Sequence, residues 1–421
     1  MLTFNKYFVQ LLLAVLLVTF FSSAYGMERR RDQFIKEPGH YIIPLPISLP
    51  GIGDALSVLG VISNANDSYT DYAAFVIAGD IEGFGGAVTD IHLIDRTLTA
   101  EVAMQKLGKV AINSYDSRGM LGDKDDFSIL ELDDAQTITA RLRGSFYERM
   151  IELQALVINN EYHLANLRDK DGNLILDTRD SETTDSQVYS ASLQFDWTDD
   201  FQDPRKGIRY GISRWWTDDK SVGTSEFYQQ EHNLTAYIPI GRISTWAFNY
   251  FISDAFVTRS GDTDFTSVEN RLGLDCNAPN LSASQRTKCQ QVVNNTIAHN
   301  RYGTAASMGG TSRLRSYPEG RYSGAHAQFY GTEFRWNLTE EYKPFNIGIA
   351  KDIRTGVQIA FFWERASVAD EKDKLGDTWR DSYGIGGRLV TTSGLVFRAE
   401  IATGDEGVST VMFFNYPWAD F

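Results

Sequence analysis

Beyond its first 26 residues the chain has no uninterrupted apolar run approaching the roughly 18–20 residues that a membrane-spanning helix needs, so helical spans are excluded. Basic charge is in deficit. Lys and Arg number 40 against 55 Asp and Glu, giving a net charge of -15 and a pI of about 4.9. Nucleic acid is thereby excluded as a partner, because phosphate binding needs clustered Lys and Arg. Only two cysteines occur, Cys276 and Cys289, too few for a metal site, and in an exported chain they read as one local disulfide that clips a loop. The six histidines are scattered, and no nucleophile or metal-ligand spacing accompanies them. The sequence therefore predicts no enzyme, no cofactor and no metal; a constellation assembled in space from loop residues is the alternative left open.

What the chain does have is a leader and an alternation. It begins MLTFNKYFVQLLLAVLLVTFFSSAYG, with Lys6 ahead of a short apolar stretch and a small-residue end at Ala24-Tyr25-Gly26, the layout of a cleavable signal over 1–26. Hydrophobic residues make up 43% and aromatics 13%, yet the mean hydropathy is -0.28. Apolar residues must therefore be diluted in a regular pattern, as they are in a transmembrane β-barrel, whose strands alternate lipid-facing and lumen-facing positions.

The stretch RDSYGIGGRLVT, 380–391, carries this pattern. Tyr383, Ile385, Gly387 and Leu389 share one face; Ser382, Gly384, Gly386 and Arg388 share the other. After the turn 392–394, Leu395, Phe397, Ala399 and Ile401 oppose Arg398 and Glu400. The same reading upstream predicts about sixteen antiparallel strands, the first at 54–64 and the last at 407–417, with 97–107 and 109–118 as separate strands. Short connections are expected at 80–84, 202–207, 240–242 and 392–394, and longer ones at 119–133, 168–186, 217–225, 259–323 and 367–378. The long set is assigned to the outside and both termini to the periplasm. Trp197, Trp215, Trp216, Trp246, Trp336, Trp363 and Trp418 form a candidate aromatic girdle, which a soluble β-sandwich would not need.

The segment 259–323 is long for a connection without strands of its own, and such loops are functional or disordered. Its end, GGTSRLRSYPEGRYSG, holds several arginines and is too polar to face lipid. The parity that sends Tyr330, Phe334 and Trp336 outward sends Glu333 and Arg335 inward; the parity of Ile359, Phe361 and Trp363 sends Glu364 inward. A loop arginine that enters the lumen can pair with both carboxylates through its planar fork of donors.

The run Gly309 to Tyr322 resembles the Arg-Gly-Tyr signature in the sixth external loop of the BamA/TamA superfamily of bacterial surface antigens, with Ser316 in place of the glycine. Further matches follow in the family's order: the turn Asp203-Pro204-Arg205-Lys206-Gly207, Glu333, Glu364, and Arg380, Ser382, Gly384, Gly386 and Arg388 on one strand. The chain ends in Phe421, as the family's barrels end in an aromatic signal. The resemblance covers about residues 187–421 and implies a loop lock of Arg315 and Tyr317 with Glu333 and Glu364.

The resulting expectation is an all-β outer-membrane barrel over 54–421, preceded by a signal at 1–26 and a short periplasmic segment at 27–53. That segment is too short for a POTRA domain, the periplasmic docking module of the family. The resemblance implies insertion of outer-membrane proteins, or translocation of protein or lipid, through a lateral seam between the first and last strands. Pro417 is expected to weaken that seam. The partners implied are outer-membrane lipids, an unfolded outer-membrane protein or exported substrate, and a separate periplasmic protein that supplies docking. The alternative is a passive pore or a structural barrel with a plugged lumen.

Overall fold

A computed structural model describes residues 30, 33–34, 38–115, 117–177, 183–217, 223–272, 274–279, 281–339, 345–347, 350–353, 355–391 and 396–418. The expected signal at 1–26, the turn at 392–394 and Phe421 lie outside the described residues.

Alternating sequence becomes a closed antiparallel barrel of sixteen strands. The first eight are β1 (Gly39–Leu49), β2 (Gly53–Ser63), β3 (Asp71–Gly79), β4 (Glu82–Ile94), β5 (Leu98–Tyr115), β6 (Phe127–Phe146), β7 (Ile151–Asp169) and β8 (Thr184–Thr198). The other eight are β9 (Gly207–Thr217), β10 (Glu226–Ile240), β11 (Ser244–Arg259), β12 (His326–Asn337), β13 (Thr355–Ala369), β14 (Arg380–Thr391), β15 (Val396–Gly404) and β16 (Gly407–Phe414). Each pairs with its sequence neighbour, and β1 closes the ring against β16. Pairing with neighbours satisfies the backbone donors and acceptors along the wall, which lipid requires, except at the β1–β16 closure, where the register is a single pair. A short strand, Leu174–Asp177, folds back on the end of β7, and a two-stranded ribbon, Phe345–Ile347 with Ala350–Ile353, lies between β12 and β13.

Exposure follows the period of two. Leu56, Val76, Ile385 and Ile401 face outward, while Ser382, Arg388, Arg398 and Glu400 are buried inside. Trp197, Trp216, Trp246, Trp336 and Trp363 also face outward. Trp215 and Trp418 do not belong to that girdle: Trp215 donates from Nε1 to Glu231 at 3.1 Å, and Trp418 is 3% exposed within the lumen.

The strand count matches the sequence reading, but two errors cancel within it. The barrel starts at Gly39, not at 54, because Pro44 and Pro46 disguise β1; proline is tolerated in a strand only at an edge. The residues assigned to a periplasmic segment thus include a wall strand. In compensation, 97–107 and 109–118 are one strand, β5, because the alternation changes phase at an irregular register around Gly108 instead of ending. The last strand stops at Phe414, so Pro417 lies beyond it and is buried in the lumen instead of weakening the seam.

Starting the barrel at Gly39 also moves one turn. Residues 80–81 join β3 to β4 at the end that carries the long loop 260–325, not at the opposite end with 199–206 and 241–243. The long loop contains helices α1 (Phe265–Arg271) and α2 (Ala283–Tyr302). Asp264 caps α1, and Ser282 with Gln285 forms a capping box on α2. Val268, Cys276 and Val293 are fully buried between them.

Candidate functional site: the loop lock in the lumen

After α2 the chain runs into the barrel. Leu314 adopts φ 52°, Tyr317 N–H donates to Leu314 O at 2.9 Å, and Gly310 N–H donates to Tyr317 O at 2.8 Å. These bonds make a tight turn that drives Arg315 to the barrel axis, where it is 0% exposed.

Three carboxylates from three strands meet its guanidinium. Nε donates to Glu364 on β13 at 2.9 Å, Nη1 to Glu400 on β15 at 2.8 Å, and Nη2 to Glu333 on β12 at 3.2 Å. The backbone N–H of Arg315 donates to the other oxygen of Glu364 at 3.0 Å. The guanidinium carbon Cζ lies over the Phe362 ring, 3.5 Å from its centroid. Each of the three nitrogens of the fork donates to a different carboxylate, a planar arrangement that a lysine could not reproduce.

The carboxylates are neutralised by further arginines. Arg388 on β14 bridges Glu333 at 2.6 Å and Glu400 at 2.7 Å. Arg335 donates to Glu333 at 2.8 Å, and Arg398 donates both to Glu400 at 2.6 Å and to the loop carbonyl of Thr311 at 2.7 Å. Four guanidinium groups and three carboxylates share the site, none more than 3% exposed. So dense a buried network fixes geometry more surely than it adds net stability, since desolvation offsets the attraction.

Glycines make the room. A Cβ on Gly384 would sit 2.1 Å from Phe362 Cζ, and one on Gly386 would sit 2.5 Å from Glu400 Cγ. Ser382 accepts the loop's Ser316 N–H at 3.0 Å. Tyr317 donates to Asp381 O at 3.1 Å and accepts from Asp405 N–H at 3.2 Å. Burial pushes its phenol up to about 12, so it remains neutral in any ordinary medium. Arg380, by contrast, stays at the rim, donating to Met120 O at 3.1 Å and Asp405 at 3.3 Å. It takes no direct part in the lock.

A second insertion comes from the other end. After β16 the chain turns inward at Asn415, φ 63°, and places Trp418 Nε1 3.1 Å from Glu364 Oε1 as its donor. Tyr416 donates to Asp203 at 2.6 Å in the turn before Gly207. Asn233 Nδ2 donates to Trp418 O at 2.9 Å. Asp203 therefore anchors the tail, Pro204 lies in the same turn, and Gly207 (φ 114°) lies where a Cβ would meet Trp197 O at 2.1 Å.

The sequence reading named Arg315, Glu333 and Glu364, and the structure brings them together. It did not name Glu400, Arg335, Arg398, Tyr416 or Trp418 as members. Parity had put Glu400 and Arg398 in the lumen, so they were within reach; the tail carried no signal that it folds inward. Cys276 and Cys289 form a disulfide with a Cα–Cα distance of 5.4 Å, joining the segment after α1 to α2.

No known family profile and no curated protein matches the sequence. Among solved structures, BamA from Haemophilus ducreyi lacking POTRA domains 1-3 aligns over 95% of this chain and 77% of its own, at 12% identity and a TM-score of 0.49. CdiB from Escherichia coli aligns over 91% and 67%, at 12% identity and a TM-score of 0.48. CdiB from Acinetobacter baumannii aligns over 89% and 59%, at 9% identity and a TM-score of 0.47. Likeness of this degree carries no inference about function, which rests on the geometry above.

Proposed function

We propose that this chain is an outer-membrane barrel of the BamA/TamA type that helps insert or translocate protein or lipid through the seam between β1 and β16. The observation that carries the reading is the seam itself. Its register consists of the single pair Ser48↔Met412, whereas even the short β3–β4 ladder has seven pairs. Pro44 and Pro46, two residues apart, remove two N–H donors from the same edge of β1. A strand edge so lightly paired can open and template an incoming strand by β-augmentation. In this reading the long loop faces outward, and the chain ends lie on the periplasmic side, where a separate docking partner would meet them.

A plugged structural barrel is the second reading, favoured by the two insertions that meet at Glu364. The two differ in whether the seam must move. Ser48→Cys with Met412→Cys places a closable pair across it; the native cysteines are already bonded to each other. The reconstituted protein should accelerate folding of an outer-membrane barrel substrate into liposomes, lose that activity when the pair is oxidised, and regain it on reduction. Absence of acceleration, or acceleration indifferent to the cross-link, sinks the first reading.

A further inference from the structure

The lumen has two unlike halves. Around Arg315 it is filled and charged, but β1–β3, β5–β8 and β16 line a cavity of 720 Å³ away from the lock. That size falls within the roughly 300–1,000 Å³ of ligand pockets. Its lining is the inward face of an unusual set of strands. Leu59 on β2 and Phe75 and Ile77 on β3 are inward by parity, as are Val110 and Ile112 on β5. A water-filled lumen has no need of such a face, since barrel interiors are ordinarily polar.

Two features say what the cavity fits. First, it reaches the seam: Ile47 and Leu49 of β1 and Phe413 of β16 line it. The lightly paired edge thus separates an apolar interior from the apolar outer surface, where Leu56, Val58 and Val76 are exposed. Second, a polar row crosses the lining on the strands remote from the seam. Gln105, Thr137, Asn160 and Ser186 are successive register partners on β5, β6, β7 and β8. Thr137 donates to Asn160 at 3.0 Å, and Asn160 contacts Ser186 at 3.5 Å. Among the described residues the lining holds no Lys or Arg, so an anionic head group finds no counter-charge there.

We infer that this cavity binds a single long hydrocarbon chain of a membrane amphiphile, received through the β1–β16 seam, with the chain against β1–β3 and its uncharged polar end at the Gln105–Ser186 row. Apolar burial holds the chain, and the amide and hydroxyl row supplies hydrogen bonds that orient it. The inference rests on the barrel and its seam, not on insertion activity. A protein that folds no substrate can still bind the lipid.

The test uses the full chain in vesicles of phosphatidylethanolamine and phosphatidylglycerol, doped with a diazirine-bearing long-chain alcohol in one arm and a diazirine-bearing diacylglycerol in the other. After irradiation, adducts are mapped by peptide mass spectrometry. Parity separates the cavity from ordinary surrounding lipid. Adducts on inward Leu59, Phe75 and Ile77 are expected, from whichever carrier is the true source, and adducts confined to outward Leu56, Val58 and Val76 overturn the site. Ala135→Trp and Ser57→Phe, both lining positions, should each cut inward labelling about tenfold or more, while outward Leu56→Trp should not. Retention of inward labelling in both filled variants overturns it as well. The oxidised Ser48→Cys/Met412→Cys pair should slow inward labelling about tenfold, restored by reduction; an unchanged rate overturns access through the seam.

Discussion

Arg315 and Glu364 are joined twice, once through the guanidinium Nε and once through the backbone N–H, so that both oxygens of one carboxylate are taken by one loop residue. The carboxylate therefore senses the loop's backbone position as well as its charge. Removing the guanidinium in Arg315→Ala leaves three buried carboxylates short of a partner, and breaking a buried pair of this kind costs about 3–5 kcal/mol. Arg315→Lys should recover little, because a point charge cannot serve three acceptors in a plane. Urea unfolding in detergent, followed by the gel shift of folded against unfolded barrel, checks both. A lysine variant as stable as the original would contradict the lock.

A second coupling runs between Gly331 and Trp418. A Cβ at Gly331 would lie 2.6 Å from Trp418 Cζ2, so the inward tail is compatible only with glycine there. Gly331→Ala should destabilise the barrel by about 1–3 kcal/mol through overpacking. Trp418→Ala also destabilises it, since Trp418 is buried and donates to Glu364. In the double variant the contact with Trp418 disappears and only that with Phe329 Cε1, at 2.9 Å, remains, so the two losses should sum to more than the measured total. Additive losses in the same unfolding assay would show that the tail and β12 do not touch.

Alternation made much of this legible. Inward and outward sides of β12, β13 and β14 follow from a period of two, which is why Glu333, Glu364 and Arg388 could be placed from sequence. The missing pieces are those in which alternation is interrupted. Pro44 and Pro46 obscure β1, and the phase change around Gly108 splits β5 on paper. Trp418 looks like an interfacial tryptophan, and only the turn at Asn415 takes it into the lumen. Glu400 lay on the correct face, but its partnership with Arg315 depends on how deep the loop reaches, which no local pattern encodes.

The disulfide should act on the loop's outer part alone. Cys276 and Cys289 are 13 residues apart, and closing a loop of that size contributes about 3 kcal/mol to the order of the segment it spans. Val268 and Val293 pack beside it, while Arg315 is held separately by the barrel acids. Reduction, or Cys276→Ser with Cys289→Ser, is therefore expected to open residues 275–289 to protease while leaving the folded-barrel gel shift unchanged. Loss of that shift on reduction would tie the helices to the lock after all.

The seam makes the last prediction, and it can be read without a substrate. Amide exchange reports local opening, and strands paired on both sides exchange slowest. β12 is paired along its length with β11 and β13. β1 has a full partner in β2 but a single register pair with β16. In micelles or vesicles, deuterium uptake over 39–49 and 407–414 should exceed that over 326–337. In the oxidised Ser48→Cys/Met412→Cys protein it should fall toward the β12 level. Equal protection of all three strands in the uncross-linked protein would mean that the wall closes at β1 as firmly as elsewhere, and that neither protein nor lipid passes there.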